Sequence, residues 1–428
     1  MTFALHSLRS AIVTMLAALA TLGCVLAVDP EPGPAVLAVV LCVSLGRSQV
    51  SKSWQGRIET GVVLALVGHA SIGVGALFQR MPWVGAVVYV AGMFLSIWLR
   101  RFGGLTRRVG ALIALPFVVI LVVPRVQSVR VSGILAVLLP VLVALIALLW
   151  VSVFQWLAAK LRVVSASAPS TASAAASTAR PPSTKRLAAS TQMAVQMAVA
   201  LSVAFAVGFV FFPERWAWIV LTAYIVGSGN RGRGDVVYKS VLRIGGAAVG
   251  TAGALLFTQH LGGKNATTVV LILGAVFLAV WLRPLGYAWW ALFVTLALAL
   301  LQGFTGEQAQ LILWPRLEEI VIGAVIGVAA AWFVLPVRSA DVLRRRLADA
   351  LVALAESLDS RSPDAFVAAV AQLEQVAPAF RARRMLLRPG IQSADWIDEV
   401  AAFASLLPAV IASSGSLGEA RRAIGAAR

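Results

Sequence analysis

The sequence predicts an all-α integral membrane protein. It has two tandem parallel repeats of about six transmembrane helices, some short, and a small C-terminal cytoplasmic helical bundle. Three observations carry this. The 428 residues are 60% hydrophobic and only 13% charged, whereas a soluble domain is about 45–50% apolar and about 25% charged. Mean hydropathy is +0.89, and the apolar residues gather in helix-length runs of roughly 15–20. No run of alternating strand-like residues recurs, which argues against a barrel. Lastly, one layout occurs twice along the chain.

The first repeat, residues 1–160, holds six candidate spans: Ala11–Val28, Pro34–Leu45, Thr60–Phe78, Val84–Leu99, Val109–Val123 and Ile134–Ala159. The second, residues 191–337, holds Met193–Phe212, Trp216–Gly227, Val241–Thr258, Thr267–Leu282, Trp289–Phe304 and Leu317–Leu335. Ala11–Val28 has the length of a signal peptide. Further apolar runs follow at once and no clear cleavage site is present, so it reads as a retained helix. The second span of each half has only about 12 residues, against about 20 for a full crossing. Short helices at matching positions of two repeats point toward a transport site.

Sequence landmarks support the duplication. Pro30-Glu31 matches Pro213-Glu214, and the same offset relates Phe94–Arg100 to Phe277–Arg283, with Gly103 and Gly286 three residues beyond. Arg57-Ile58 matches Arg243-Ile244 with a small gap. An even number of spans per half makes the repeat parallel, with an axis along the membrane normal.

The net charge of +18 suggests nucleic acid in a soluble protein. Here the basic residues lie between apolar runs, where they set topology and meet anionic lipid, so the bilayer is the expected partner and nucleic acid is not. Arg100, Arg101, Arg107, Arg108, Arg231, Arg233, Lys239 and Arg283 fall in loops on one side, together with Arg47 and Lys52. The other side holds few, among them Arg80, Arg215 and Arg316. That bias places both termini in the cytoplasm of a multi-pass inner-membrane protein.

Residues 161–190 form an Ala/Ser/Thr/Pro-rich segment expected to be a flexible cytoplasmic linker. Residues 338–428 mix Ala and Leu with charges at helical spacing and read as three or four amphipathic helices. Cys24 and Cys42 lie in apolar runs and offer neither metal spacing nor a disulfide framework. No metal, cofactor or catalytic constellation is expected, and a Walker A motif is absent, so the chain reads as a non-enzyme.

Polar groups at membrane depth are functional candidates by default. Phe212 to Phe257 reads as a short apolar hairpin, a glycine-rich basic loop and a long helix opened by Arg243, with Gly246 and Gly250 on a close-packing face. Arg243 is a candidate anion contact at the cytoplasmic mouth; its alternative is a snorkelling arginine. Arg57 is its first-half counterpart, with Glu59 beside it to neutralise it. Arg283 and Trp290 complete the candidate substrate set, Trp290 by stacking on an aromatic group or else within an interfacial belt with Tyr287 and Trp289. Glu319 is the candidate for proton coupling or gating, paired with Arg316 three residues back on the same face. His69, well inside a span, is a possible relay or a packing histidine. Asp235 reads as a solvated loop charge. Gly323 and Gly327 repeat the close-packing spacing in the last span.

At these residues the chain resembles the fusaric-acid-resistance (FUSC-type) family, also called aromatic acid exporters. Three stretches carry the resemblance: Trp216–Ser240; Arg243–Gly250, similar to the family's Arg-x-x-Gly-Thr-x-x-Gly; and Arg316–Gly323 followed by Leu335-Pro336, similar to Arg-x-x-Asp-x-x-x-Gly ending in Leu/Trp-Pro. Ala247 stands for the usual threonine and Glu319 for the usual aspartate. The resemblance is good over 190–337 and weaker over 10–160. It implies proton-motive-force-driven export of aromatic carboxylic acids or related organic anions. Plant aluminium-activated malate channels are similar in layout and pair as dimers. The analogy implies a homodimer or a pseudo-dimer within one chain, and makes a passive organic-anion channel the first alternative. A major-facilitator carrier is disfavoured by the short spans, and a membrane-bound enzyme by the lack of a residue set. A non-transport scaffold is a further alternative.

Overall fold

The computed structural model describes residues 2–46, 54–122, 134–161, 189–261, 265–305, 309–360, 362–386 and 392–413. The expected linker falls mostly outside them, as do Arg47, Lys52 and the end of the tail. The described residues are helical, joined by short turns. The first half comprises α1 (Thr2–Val28), α2 (Pro32–Leu45), α3 (Trp54–Arg80), α4 (Pro82–Trp98), α5 (Gly104–Val122) and α6 (Ile134–Lys160). The second comprises α7 (Ala189–Phe211), α8 (Trp216–Gly227), α9 (Arg233–Leu261), α10 (Ala266–Leu282), α11 (Tyr287–Thr305) and α12 (Ala309–Phe333). Single 3₁₀ turns follow the fourth helix of each half, at Leu99–Phe102 and Arg283–Leu285. Among the described residues, eight helices are long and apolar enough to cross a membrane, while α2 and α8 are shorter apolar helices.

Helix α8 shows why such a short apolar element persists. Its 12 residues extend about 18 Å, well under the roughly 30 Å hydrocarbon core. Ala217, Ile219, Val220, Leu221, Thr222, Ala223 and Val226 are all buried, so protein rather than lipid surrounds it. Helix α2 is alike, with Leu37, Ala38, Leu41, Cys42 and Leu45 buried. The two halves pack together: α7 lies on α4, α8 on α5, and α10 on α1. An aromatic cluster seals one seam, where Phe78, Tyr89 and Trp216 surround Phe205 at ring separations of 5.4–5.6 Å. The cysteines are free; Cys42 packs 3.2 Å from the Thr21 hydroxyl.

These helices form one compact unit, less residues 229–238 and the chain from 331 onward. In the second unit, 229–238 join the C-terminal helices α13 (Ser339–Asp359), α14 (Asp364–Glu374), α15 (Ala377–Leu386) and α16 (Gln392–Ser413). Two apolar clusters hold these helices. One is built on Leu354, Leu358, Phe366, Phe403 and Leu407, the other on Leu343, Leu373, Ala377 and Ile397. Arg381 and Arg384 both pair with Asp398, and Arg384 also with Asp395.

The glycine-rich basic stretch is a built turn, not an open loop. Gly229 and Gly232 take φ of +60° and +120°, which side chains disfavour, and the Asn230 side chain accepts from the Gly232 amide in an Asx-type turn. A Cβ on Gly232 would sit 2.9 Å from Ser339 Cα, the Gly234 amide donates to Ser339 Oγ, and Arg231 donates to Gln375. Asp235 is therefore no solvated loop charge: it is buried in the first turn of α9 and accepts from the Arg231 amide, where a carboxylate meets the positive end of the helix.

Candidate functional site

Two helix contacts in the first unit carry the buried charges. Helix α9 begins at Arg233, ten residues ahead of Arg243, because Asp235, Lys239 and Ser240 are helical. Arg243 therefore lies almost three turns inside the helix rather than opening it, and it is fully buried. Gly246 and Gly250 continue its face onto α11. A Cβ at Gly246 would meet the Leu292 amide nitrogen at 2.9 Å, and one at Gly250 the Leu292 carbonyl at 2.6 Å. This backbone-to-backbone approach delivers Arg243 to Thr295: Nη1 donates to Thr295 Oγ1 at 3.1 Å, and that hydroxyl donates to the Ala291 carbonyl at 2.7 Å. Nε of Arg243 is buried without a hydrogen-bond partner, and among the described residues no carboxylate pairs with it.

Tyr287 interacts electrostatically with both Arg243 and Arg283, and its ring lies 5.5 Å from that of Trp290. Arg243, Arg283 and Trp290 are thus gathered around one tyrosine. The sequence placed Tyr287 in an interfacial belt; its spacing from Trp290, one turn on, was the available signal. Arg57 is not in this group. It faces α6, lining a groove with Leu145, Leu148 and Ser152; Glu59 follows two residues on, a spacing at which helix side chains do not face each other.

The second contact joins α8 to α12. A Cβ on Gly323 would meet the Ile219 carbonyl at 2.5 Å and Thr222 Cβ at 2.8 Å, and one on Gly327 would meet Val226 Cγ1 at 3.2 Å. One turn before Gly323, the Glu319 side chain is 1% exposed and lies 3.2 Å from Arg215 Nε, a close ion pair without hydrogen-bond alignment. Arg215 sits in the turn between α7 and α8 and is about half exposed. Arg316 also acts electrostatically on Glu319, beside Arg215. Arg316 is buried, donates to Gln302 of α11 and lies 4.2 Å above the Trp218 ring. The i,i+3 spacing brings the two charges close, and Gln302 of α11 and the Trp218 face are further partners of the guanidinium. Pro315 removes one amide donor from α12 just before Arg316. Beyond α12, Leu335 takes φ +44° ahead of Pro336.

His69 belongs to neither group. It is exposed on α3, and its ring bonds to the Ala65 carbonyl of its own helix at 3.0 Å. No group of three or more His, Cys, Asp or Glu side chains able to hold a metal occurs among the described residues.

Eight membrane-length helices and two buried charge clusters define a multi-pass membrane protein, one that suggests a transporter. Residues 199–330 match the family model described as fusaric acid resistance protein-like, which places this region of the chain in the FUSC-type family. The match spans α8 to α12 almost whole, and so contains both clusters apart from the outer ends of their helices. No curated protein and no solved structure matches the chain.

Proposed function

We propose that this protein exports aromatic carboxylic acids or related organic anions, driven by the proton gradient. One observation carries the reading: Arg243 is a fully buried cation that donates to a neutral hydroxyl and, among the described residues, pairs with no carboxylate. A buried charge without a counter-charge costs several kcal/mol, and an anionic ligand offsets that cost. Tyr287, which interacts electrostatically with Arg243 and Arg283, lies with its ring 5.5 Å from that of Trp290, and Arg283 adds a second cation. Aromatic carboxylates combine the two features such a site accepts, a planar apolar body and one negative charge.

Glu319 is the proton-coupling residue, with Arg215 holding its ionised form and Arg316 nearby. Protonation of the carboxyl releases Arg215, which is exposed enough to hydrate, and so loosens the α8–α12 contact. Chain direction supports opposite ends for the two clusters. Helices α8 and α12 start, and α11 finishes, at one end; α9 starts and α10 finishes at the other. With the basic turns of α8–α9 and α10–α11 on the cytoplasmic side of the inner membrane, Arg243 takes its anion from the cytoplasm, and both termini lie there too. The two halves are parallel copies, a reading supported by the long–short–long order of their first three helices and the 3₁₀ turn after each fourth helix. They make either a pseudo-dimer or, with a second chain, a homodimer.

The test is accumulation of a panel of aromatic and aliphatic acids in a deletion strain expressing the wild-type chain or Arg243→Gln. The expected result is raised accumulation of aromatic acids in the deletion strain, reversed by wild type and not by Arg243→Gln at equal expression. Equal accumulation across all strains contradicts export. Flux that persists after the proton gradient collapses supports a passive channel instead.

A further inference from the structure

The groove that Arg57 faces has the chemistry of a lipid site. It has a volume of about 470 Å³ and runs along the seam of α3 and α6. Gly61 and Gly68 let the helices approach there: a Cβ on either would sit 3.4 Å from Leu148 or Val141. Along the groove, Leu145, Leu149 and Trp156 are 40–60% exposed on helices long and apolar enough to cross a membrane. Such a surface is wetted by acyl chains.

One end of the groove differs. Nε of Arg57 is buried there without a hydrogen-bond partner, and Ser152 adds a hydroxyl to the lining. Lys160 Nζ lies 5.2 Å above the Trp156 ring, bringing a second cation to the same end. No carboxylate lines the groove. An apolar trough ending in two cations complements one ligand class, a lipid with an anionic head group; basic pockets between transmembrane helices bind such head groups.

We propose that this groove binds one anionic phospholipid, with its phosphate on Arg57 and Lys160 and an acyl chain along Leu145, Leu149 and Trp156. Arg57 thereby serves the lipid rather than the exported anion, and the site stands independently of the transport reading. The charge bias along the chain places this end at the cytoplasmic leaflet, where anionic head groups are available.

The test is native mass spectrometry of the purified full-length protein titrated with phosphatidylglycerol and, separately, phosphatidylcholine. The wild type is expected to retain phosphatidylglycerol preferentially. Arg57→Gln and Lys160→Gln should each reduce that preference about fivefold, from about one interaction of a basic side chain with an anionic lipid surface. Arg57→Lys, which keeps the charge, should retain most of it. Leu149→Trp, which fills the trough and leaves the cations in place, should weaken both lipids. Equal retention of the two lipids by wild type overturns the proposal. So does an unchanged preference in the Arg57→Gln, Lys160→Gln double variant or, should that variant not fold, unchanged retention in Leu149→Trp.

Discussion

The α9–α11 and α8–α12 contacts use the same packing device and leave their charges in opposite conditions. In each, two glycines four residues apart bring one helix onto the backbone of another, and a buried ionisable residue lies about one turn ahead of the first glycine. At α9–α11 that residue is Arg243, held by a neutral threonine. At α8–α12 it is Glu319, held by Arg215. Arg243 and Glu319 are both buried, so what differs is the partner. On the proposed reading, an arginine that pairs with no carboxylate among the described residues is a receptor for an anion. A carboxylate paired with a half-exposed arginine is a group whose charge can be changed without stranding its partner, because Arg215 can turn to water. On that reading, the difference separates binding from coupling within one set of helices.

The largest expected effect comes from removing the device itself. Gly250→Leu and Gly323→Leu drive side chains into backbone carbonyls 2.5–2.6 Å from the new Cβ. The loss of stability should exceed about 3 kcal/mol, the upper part of the overpacking range. Thermal unfolding of the purified variants checks this; midpoints within a few degrees of wild type would show that the helices can part cheaply.

Next comes an asymmetry at the ion pair. Arg215→Ala strands a buried carboxylate and should cost about 1–3 kcal/mol. That is less than the roughly 3–5 kcal/mol for breaking a fully buried pair, because Arg215 is half exposed and Arg316 remains near. Glu319→Gln leaves an arginine that can hydrate and should cost under about 1 kcal/mol. Unfolding curves of the two variants decide it, and equal losses break the comparison.

Transport should separate the two contacts in a different way. Glu319→Gln fixes the proposed coupling residue in an uncharged form, so anion flux should no longer respond to an imposed proton gradient while discrimination among anions persists. Flux in reconstituted vesicles, with and without a gradient, reads this directly; a retained gradient response removes Glu319 from the coupling role. The smallest effect belongs to Trp290→Ala. It removes a ring contact worth about 0.5–1.5 kcal/mol and should weaken aromatic acids by roughly 2–10-fold while leaving aliphatic acids unchanged.

Much of this was legible in the sequence, and the rest for definite reasons failed to be. Residues 216–227 were readable as a helix because an apolar run ended in Gly227 and Ser228 and began after Pro213. The glycine faces of α9 and α12 were readable from four-residue spacing. Their partners were not, since spacing on one helix does not say which other helix fills it. The sequence suggests too late a start for α9 because Asp235, Lys239 and Ser240 are polar, whereas a helix end tied to Ser339 accommodates polar residues. Local spacing suggests Arg316 for Glu319, and its charge does act there. A second cation, Arg215, lies about a hundred residues earlier, in the turn before α8, and only the close approach of α8 to α12 brings it to 3.2 Å.

The account rests on Arg243 binding an anion. The most direct test is binding of an aromatic carboxylic acid and of its neutral primary amide to the purified protein, by calorimetry, in wild type and in Arg243→Gln. Wild type should favour the acid over the amide by roughly 30-fold or more, the cost of leaving a buried charge unpaired, and Arg243→Gln should bind the two about equally while keeping its helical content. An unchanged preference for the acid in Arg243→Gln would contradict the account.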